Sequence, residues 1–153
     1  MPLLNYTTKV NTHKTVSEIQ TMLATHGARG ILMKYDDNGY IVSLAFVIHG
    51  PADEPIQFQL PVDWQPVFAV LERDRRVPRS LVTQEQALRV AWRIVKDWIR
   101  AQMAFLDTEM VVMEQVFLPY MLSTQGKTLY EVLADSRFQI GSGDQNDILK
   151  EEQ

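Results

Sequence analysis

The chain has 153 residues, 46% of them hydrophobic and 22% charged, with seven glycines, seven prolines and a net charge of −4. That length and balance suit one globular domain with a real core, and they exclude a collagenous or low-complexity chain. With no cysteine there is no disulfide and no thiol chemistry, and no stretch reaches the ~18 uncharged residues needed to span a bilayer.

Leu4 to Val10 alternates, with Tyr6, Thr8 and Val10 on one side and Asn5, Thr7 and Lys9 on the other, which predicts a first strand. Thr15 then stands three residues before Glu18, the spacing of a capping box. Val16, Ile19, Met22 and Leu23 make an apolar stripe that Gly27 closes, so a short helix is expected here. From Gly30 to Ile48 two β-rich runs flank Asn38-Gly39, residues that tolerate the positive φ of a two-residue hairpin turn. That turn sets Tyr35 opposite Val42, Met33 opposite Leu44 and Ile31 opposite Phe46 on one face. Leu32, Lys34, Ser43 and Ala45 fall on the other. Ile56 to Leu60 alternates and continues the sheet. A short helix follows Asp63 through Trp64, Val67, Phe68, Val70 and Leu71, with Pro66 tolerable in its first turn.

The longest helical pattern runs from Thr83 to Tyr120. Thr83 and Gln86 have capping-box spacing, and Leu88, Trp92, Val95, Ile99, Leu106, Met113 and Val116 follow a 4-3-4 step broken by Gln102 and Glu109. An unbroken helix of this length would reach roughly 50 Å, too long for so small a domain. A break near Asp107 or Thr108 is one solution, and a protruding end paired with a second subunit is the other. The seam, with Phe117, is accordingly a candidate oligomer interface. Pro119 ends the pattern, and Thr128 to Asp135 reads as a last short helix. The expected fold is α+β: a mainly antiparallel sheet of about four strands packed by helices, with a long C-terminal helical region. A single domain spans 1–138, sheet-rich over 1–72 and helical over 80–138, and 139–153 is expected to be a flexible acidic tail.

Charge is polarised along the chain. Residues 73–100 hold eight of the fifteen basic residues, Arg73, Arg75, Arg76, Arg79, Arg89, Arg93, Lys96 and Arg100, against three acids, whereas residues 101–153 hold three basic residues and nine acids. A basic loop continued by a basic helix stripe is the pattern of phosphate-backbone binding. The plain alternative is a solvated helix face neutralised by acids of the same or a neighbouring chain.

No catalytic constellation accompanies it. There is no Gly-x-Ser-x-Gly elbow, and His13, His26 and His49 stand singly, as surface or cap residues do, without metal-ligand spacing. Asp36-Asp37-Asn38-Gly39 places Lys34 where a calcium loop needs its first ligand, and Gly126-Lys127-Thr128 has Met121 where a phosphate loop needs its first glycine. No cofactor, no metal and no enzymatic activity are expected. Stacking on bases would require Trp64, Trp98 or Tyr40 to be exposed beside the basic patch.

Three segments, KTVSEIQTMLATHGARGI, FQLPVDWQPVFAVL and QALRVAWRIVKDWIRAQMAFLDTEMVVMEQVFLPYML, together resemble a group of small proteins from bacteriophages, prophages and other mobile elements. The resemblance covers roughly residues 4–135 and centres on the A-x-R-V-A-W-R-x-x-K-D-W helix ending in V-F-L-P-Y. It implies a viral protein in a host cytoplasm and no residue-level role. The helix–sheet–helix order from Thr15 to Leu71 also resembles the double-stranded-RNA-binding module, but Pro61-Val62-Asp63-Trp64 replaces that family's lysine-rich entry to its second helix. The leading expectation is an oligomeric, non-catalytic accessory protein of DNA replication or recombination that binds single-stranded DNA. The alternative is a protein-interaction module, an inhibitor or assembly factor, which engages a host or viral protein through Val111–Leu122.

Overall fold

The computed structural model describes residues 2–140. The residues from 141 onward, most of the expected acidic tail, lie outside the described residues. The fold is α+β: helix α1 (Thr12–Thr25), strands β1 (Gly30–Tyr35), β2 (Ile41–His49) and β3 (Pro55–Gln59), then helices α2 (Trp64–Arg73), α3 (Gln84–Asp107), α4 (Met113–Phe117) and α5 (Leu129–Asp135). Two 3₁₀ turns, Arg79–Leu81 and Leu118–Tyr120, precede α3 and follow α4.

Three antiparallel strands in the order β1-β2-β3 form the sheet. Met33 pairs with Leu44 and Ile31 with Phe46, as the hairpin turn requires, but Tyr35 meets Ile41 instead of Val42. The expected two-residue turn widens to Asp37-Asn38-Gly39, closed by the bond from the Asp36 amide to Tyr40 O, with positive φ at Gly39 but not at Asn38. A bulge next to it absorbs one residue and increases the local twist. It also turns Ile41 into the core beside Leu44, Phe46 and Ile48.

The fourth strand expected at Leu4–Val10 is absent, because that segment folds as successive turns. Asn5 adopts φ 64°, and the amides of Tyr6 and Thr8 bond back to Leu3 and Asn5. Its carbonyls are satisfied from the side: Gln86 Nε2 donates to Tyr6 O and Thr8 O at 2.9 and 3.0 Å. Alternation alone does not distinguish this from a strand, because it carries no information about whether a neighbouring strand is there to pair with.

Helix α1 starts earlier than Thr15. Asn11 is its cap, accepting from the His13 amide, whereas Thr15 is buried one turn inside. Glu18 leaves the cap role for an ion pair with α3. For α3 the expected start holds: the Thr83 hydroxyl accepts from the Gln86 amide at 3.1 Å. The helix ends at Asp107, Glu109 adopts φ 61°, and a fresh turn begins where the Gln115 side chain accepts from the Val112 amide.

Leu88, Trp92, Val95 and Ile99, the seam expected to join subunits, are buried against this chain's own sheet, with Met103 continuing the stripe. Leu106 and Val116 pack against the same core, and Met113 and Phe117 enter it from α4. Phe117 makes an edge contact with Phe46 at 5.2 Å between centroids, and Phe46 stacks on Phe58 at 5.3 Å. The seam is therefore intramolecular core. A second, smaller core joins Leu71, Val77 and Ala87 to the partly buried Leu3, Tyr6 and Phe68.

Trp92 ties these layers together. It is fully buried and its indole N–H donates to Ile41 O at 3.0 Å. Trp92→Phe removes that bond and part of the ring, so a loss of about 2–4 kcal/mol is expected in urea unfolding. Leu32→Ala, at a residue 59% exposed on the sheet's outer face, should stay within about 0.5 kcal/mol of the parent. A Trp92→Phe protein as stable as the parent would contradict this account of the core.

Candidate functional site

The eight basic residues separate into two sets. Arg73 ends α2, Arg75 and Arg76 occupy the loop that follows, Arg79 opens the 3₁₀ turn before α3, and all four are exposed. Val77, only 5% exposed, pins the middle of that loop into the second core, so the guanidinium groups project from an anchored backbone. Arg76 folds back on Asp74 with a bidentate pair, Nε to Oδ1 and Nη2 to Oδ2, both at 3.0 Å. The Asp74 carboxyl is held below the usual carboxylate range, first by the Arg76 side chain and then by the Arg76 amide. Arg73 and Arg79 border one shallow depression with Phe68, Ala69 and Glu72. Among the described residues, Arg73, Arg75 and Arg79 are in no ion pair.

The helix stripe is different. Arg89 pairs with Glu85 at 2.6 Å and also reaches the Gln86 side chain. Arg93 donates to Glu18 of α1 at 3.2 Å, and Lys96, 8% exposed, lies 3.7 Å from Glu18 and 3.6 Å from Asp97. Asp97 in turn accepts from Asn5 at 2.9 Å. Arg93 and Lys96 thus hold α1 onto α3, Asp97 ties down the N-terminal segment, and the Arg89 pair stays within α3. Arg100 is exposed but lies sixteen residues beyond the start of α3, about 24 Å along the axis from that end of the helix. A continuous track of eight cations is not formed. Spacing along α3 suggests a common face, but nothing in it reveals that Glu18, some 75 residues away in sequence, packs against Arg93.

The aromatic residues do not add a stacking platform. Trp98 makes edge contacts with Phe117 and Tyr120, Trp64 packs on Phe68, and Tyr40 is half-buried. Among the described residues no cluster of three or more histidine and carboxylate side chains is placed to hold a metal. His26 is occupied as the C-cap of α1, its ring between Met22 O and the Asp107 carboxylate.

The segment Val111–Leu122 is divided as well. Met113 and Phe117 are core, and Met121 lies against β3, where the Leu122 amide donates to Gln57 O at 2.8 Å. Val112 and Leu118 are 54% and 44% exposed. Beside the α3–α4 break, Phe105 and Met110 are exposed too, a feature that the sequence reading missed because Phe105 lies off the apolar seam. No protein-family model, curated protein or solved structure matches this chain. No helix of the described residues is long and apolar enough to cross a membrane.

Glu18 is the residue whose loss should cost most in the ionic network, because it leaves Arg93 half-buried and Lys96 almost enclosed. Glu18→Ala is expected to lower unfolding stability by about 1–2 kcal/mol, against roughly 0.5 kcal/mol or less for Glu85→Ala, which breaks an exposed i,i+4 pair. Equal losses in chemical denaturation would show that Lys96 is adequately solvated without α1.

Proposed function

We propose that this chain is a non-catalytic nucleic-acid-binding accessory protein, of the kind that mobile elements use in DNA replication or recombination, and that it grips the phosphate backbone of single-stranded DNA. The observation that carries this reading is the anchored loop Arg73–Arg79, where three exposed guanidinium groups have no acidic partner among the described residues. Arginine suits the task, because its planar fork can donate two bonds to one phosphate. A short loop offers few contacts, which favours a pliable single strand that can adapt to the spacing of the guanidinium groups. Arg89, Arg93 and Lys96 contribute positive field in this reading, and their ion pairs keep them from acting as direct ligands.

Such contacts carry little sequence preference and respond steeply to salt. Fluorescence anisotropy with labelled single- and double-stranded oligonucleotides, at rising salt, is the direct test. The triple variant Arg73→Ala, Arg75→Ala and Arg79→Ala should weaken single-strand binding at least about ten-fold. It should also flatten the salt slope by about 2, as expected for three lost phosphate contacts. Arg89→Ala with Arg93→Ala should change binding less. Parent-like binding by the loop triple would sink the proposal.

A second reading rests on the exposed apolar corner of Phe105, Met110, Val112 and Leu118, where Met110 is 66% exposed. Exposed apolar side chains on the two sides of α4 are the usual material of a protein interface. Val112→Asp with Leu118→Asp is the suitable probe, since Phe117→Asp would charge a fully buried ring and unfold the chain. If the parent binds no oligonucleotide at low salt and the corner variant loses a captured protein partner while staying folded, the protein-interaction role replaces the nucleic-acid one.

A further inference from the structure

The two edges of the sheet are treated differently. The outer edge of β3 is closed by the chain itself, through the Met121–Phe58 bridge and the bond from the Leu122 amide to Gln57 O. Among the described residues, the outer edge of β1 has no strand beside it. Its six residues contain neither proline nor an internal bulge, since the register shift next to Tyr35 falls at the end of the strand. Leu32 is 59% and Tyr35 54% exposed. An open, regular edge with exposed apolar side chains is a template for another strand.

The charges along this edge select which strand. Arg29 precedes β1 and Asp37 follows it; both are exposed, and neither is in an ion pair among the described residues. Arg29 acts on Asp53 only as the last and weakest of the influences on that carboxyl. An antiparallel copy of the same strand, centred on Met33, sets Arg29 of each chain opposite Asp37 of the other, twice. Parallel pairing would set like charges side by side.

The same register puts Lys34 opposite Leu32 of the copy on the uncovered face, so each lysine stem covers an exposed leucine while its ammonium stays in water. Lysine on an edge normally deters self-pairing. Here neither lysine meets its own counterpart directly. On the helix-covered face Ile31 meets Tyr35, and Met33 meets Met33.

We infer that two copies of this chain associate through β1 in this antiparallel register, giving one continuous six-stranded sheet. The partner is a second copy, because the strand's positive beginning and negative end complement each other only when it is paired with itself reversed. This assignment is independent of the nucleic-acid reading, since it uses none of the loop arginines and its test involves no oligonucleotide.

The test is mass in solution, by light scattering on the full chain over a concentration series in low salt, with circular dichroism as the check on folding. The parent is expected at twice the chain mass of 17.6 kDa. Arg29→Asp alone and Asp37→Arg alone should each weaken association at least about ten-fold, by facing like charges twice across the two-fold axis. The double variant R29D/D37R should restore it. Because the chain has no cysteine, Met33→Cys supplies a second readout: oxidation should produce a covalent dimer, whereas Gln57→Cys on the capped strand should not. A single-chain mass at every concentration, a two-chain mass that both charge reversals leave unchanged, or a Met33→Cys protein that does not cross-link would each overturn the inference.

Discussion

Burial of the Trp92 indole is the constraint on which the rest of the architecture depends. A ring of this size must sit where helix and sheet meet, and its N–H needs an acceptor in a place water cannot reach. Ile41 O supplies it. That residue stands at the bulged beginning of β2, so the departure from ideal hairpin register and the placement of α3 belong to one arrangement. Once α3 is fixed there, its apolar stripe covers the sheet with Leu88, Val95, Ile99 and Met103. α1 is left to lie along its flank and α2 along another side.

The position of α1 decides the fate of the basic stripe. His26 at the end of α1 reaches Asp107 at the end of α3, and Glu18 reaches Arg93 and Lys96 midway, so the two helices run in the same direction over much of their length. In that geometry the stripe faces a neighbouring helix along part of its surface, and burying Lys96 without Glu18 and Asp97 would be prohibitive. The loop before α3 escapes this fate. It follows the end of α2, where Val77 is buried and Leu81 and Val82 pack partly against the same core, and the arginines on both sides of Val77 remain in water.

Much of the fold was legible wherever a local rule and the tertiary packing agreed. A hairpin turn at Gly39, the pairing of Met33 with Leu44 and the start of α3 at Thr83 follow from turn chemistry and capping, and the break after Asp107 is one of the two solutions that helix length left open. Leu4–Val10 was misread because alternation says nothing about whether a neighbour exists to pair with. The seam of α3 was misassigned to a second subunit for a related reason. A strong apolar stripe reports that something must cover it, and a helix of 24 residues found its cover in the chain's own sheet. The loop arginines were legible as a group, but their separation from Arg93 and Lys96 depended on Glu18, a contact no sequence spacing encodes.

What remains on the surface follows from how the chain leaves α3. The left-handed Glu109 reverses the backbone directly after the helix, and a tight reversal leaves little backbone to bury the side chains around it. Phe105 and Met110 are therefore exposed at the turn, while Met113 and Phe117, one short helix later, regain the core. The returning chain then passes along β3 and closes that edge at Met121 and Leu122. Over the described residues it pairs with β3 and not with β1, which lies across the width of the sheet. Exposed apolar residues at the α3–α4 corner and an uncovered β1 edge are thus two results of a single path, in which the C-terminal segment is committed to one side of a three-stranded sheet.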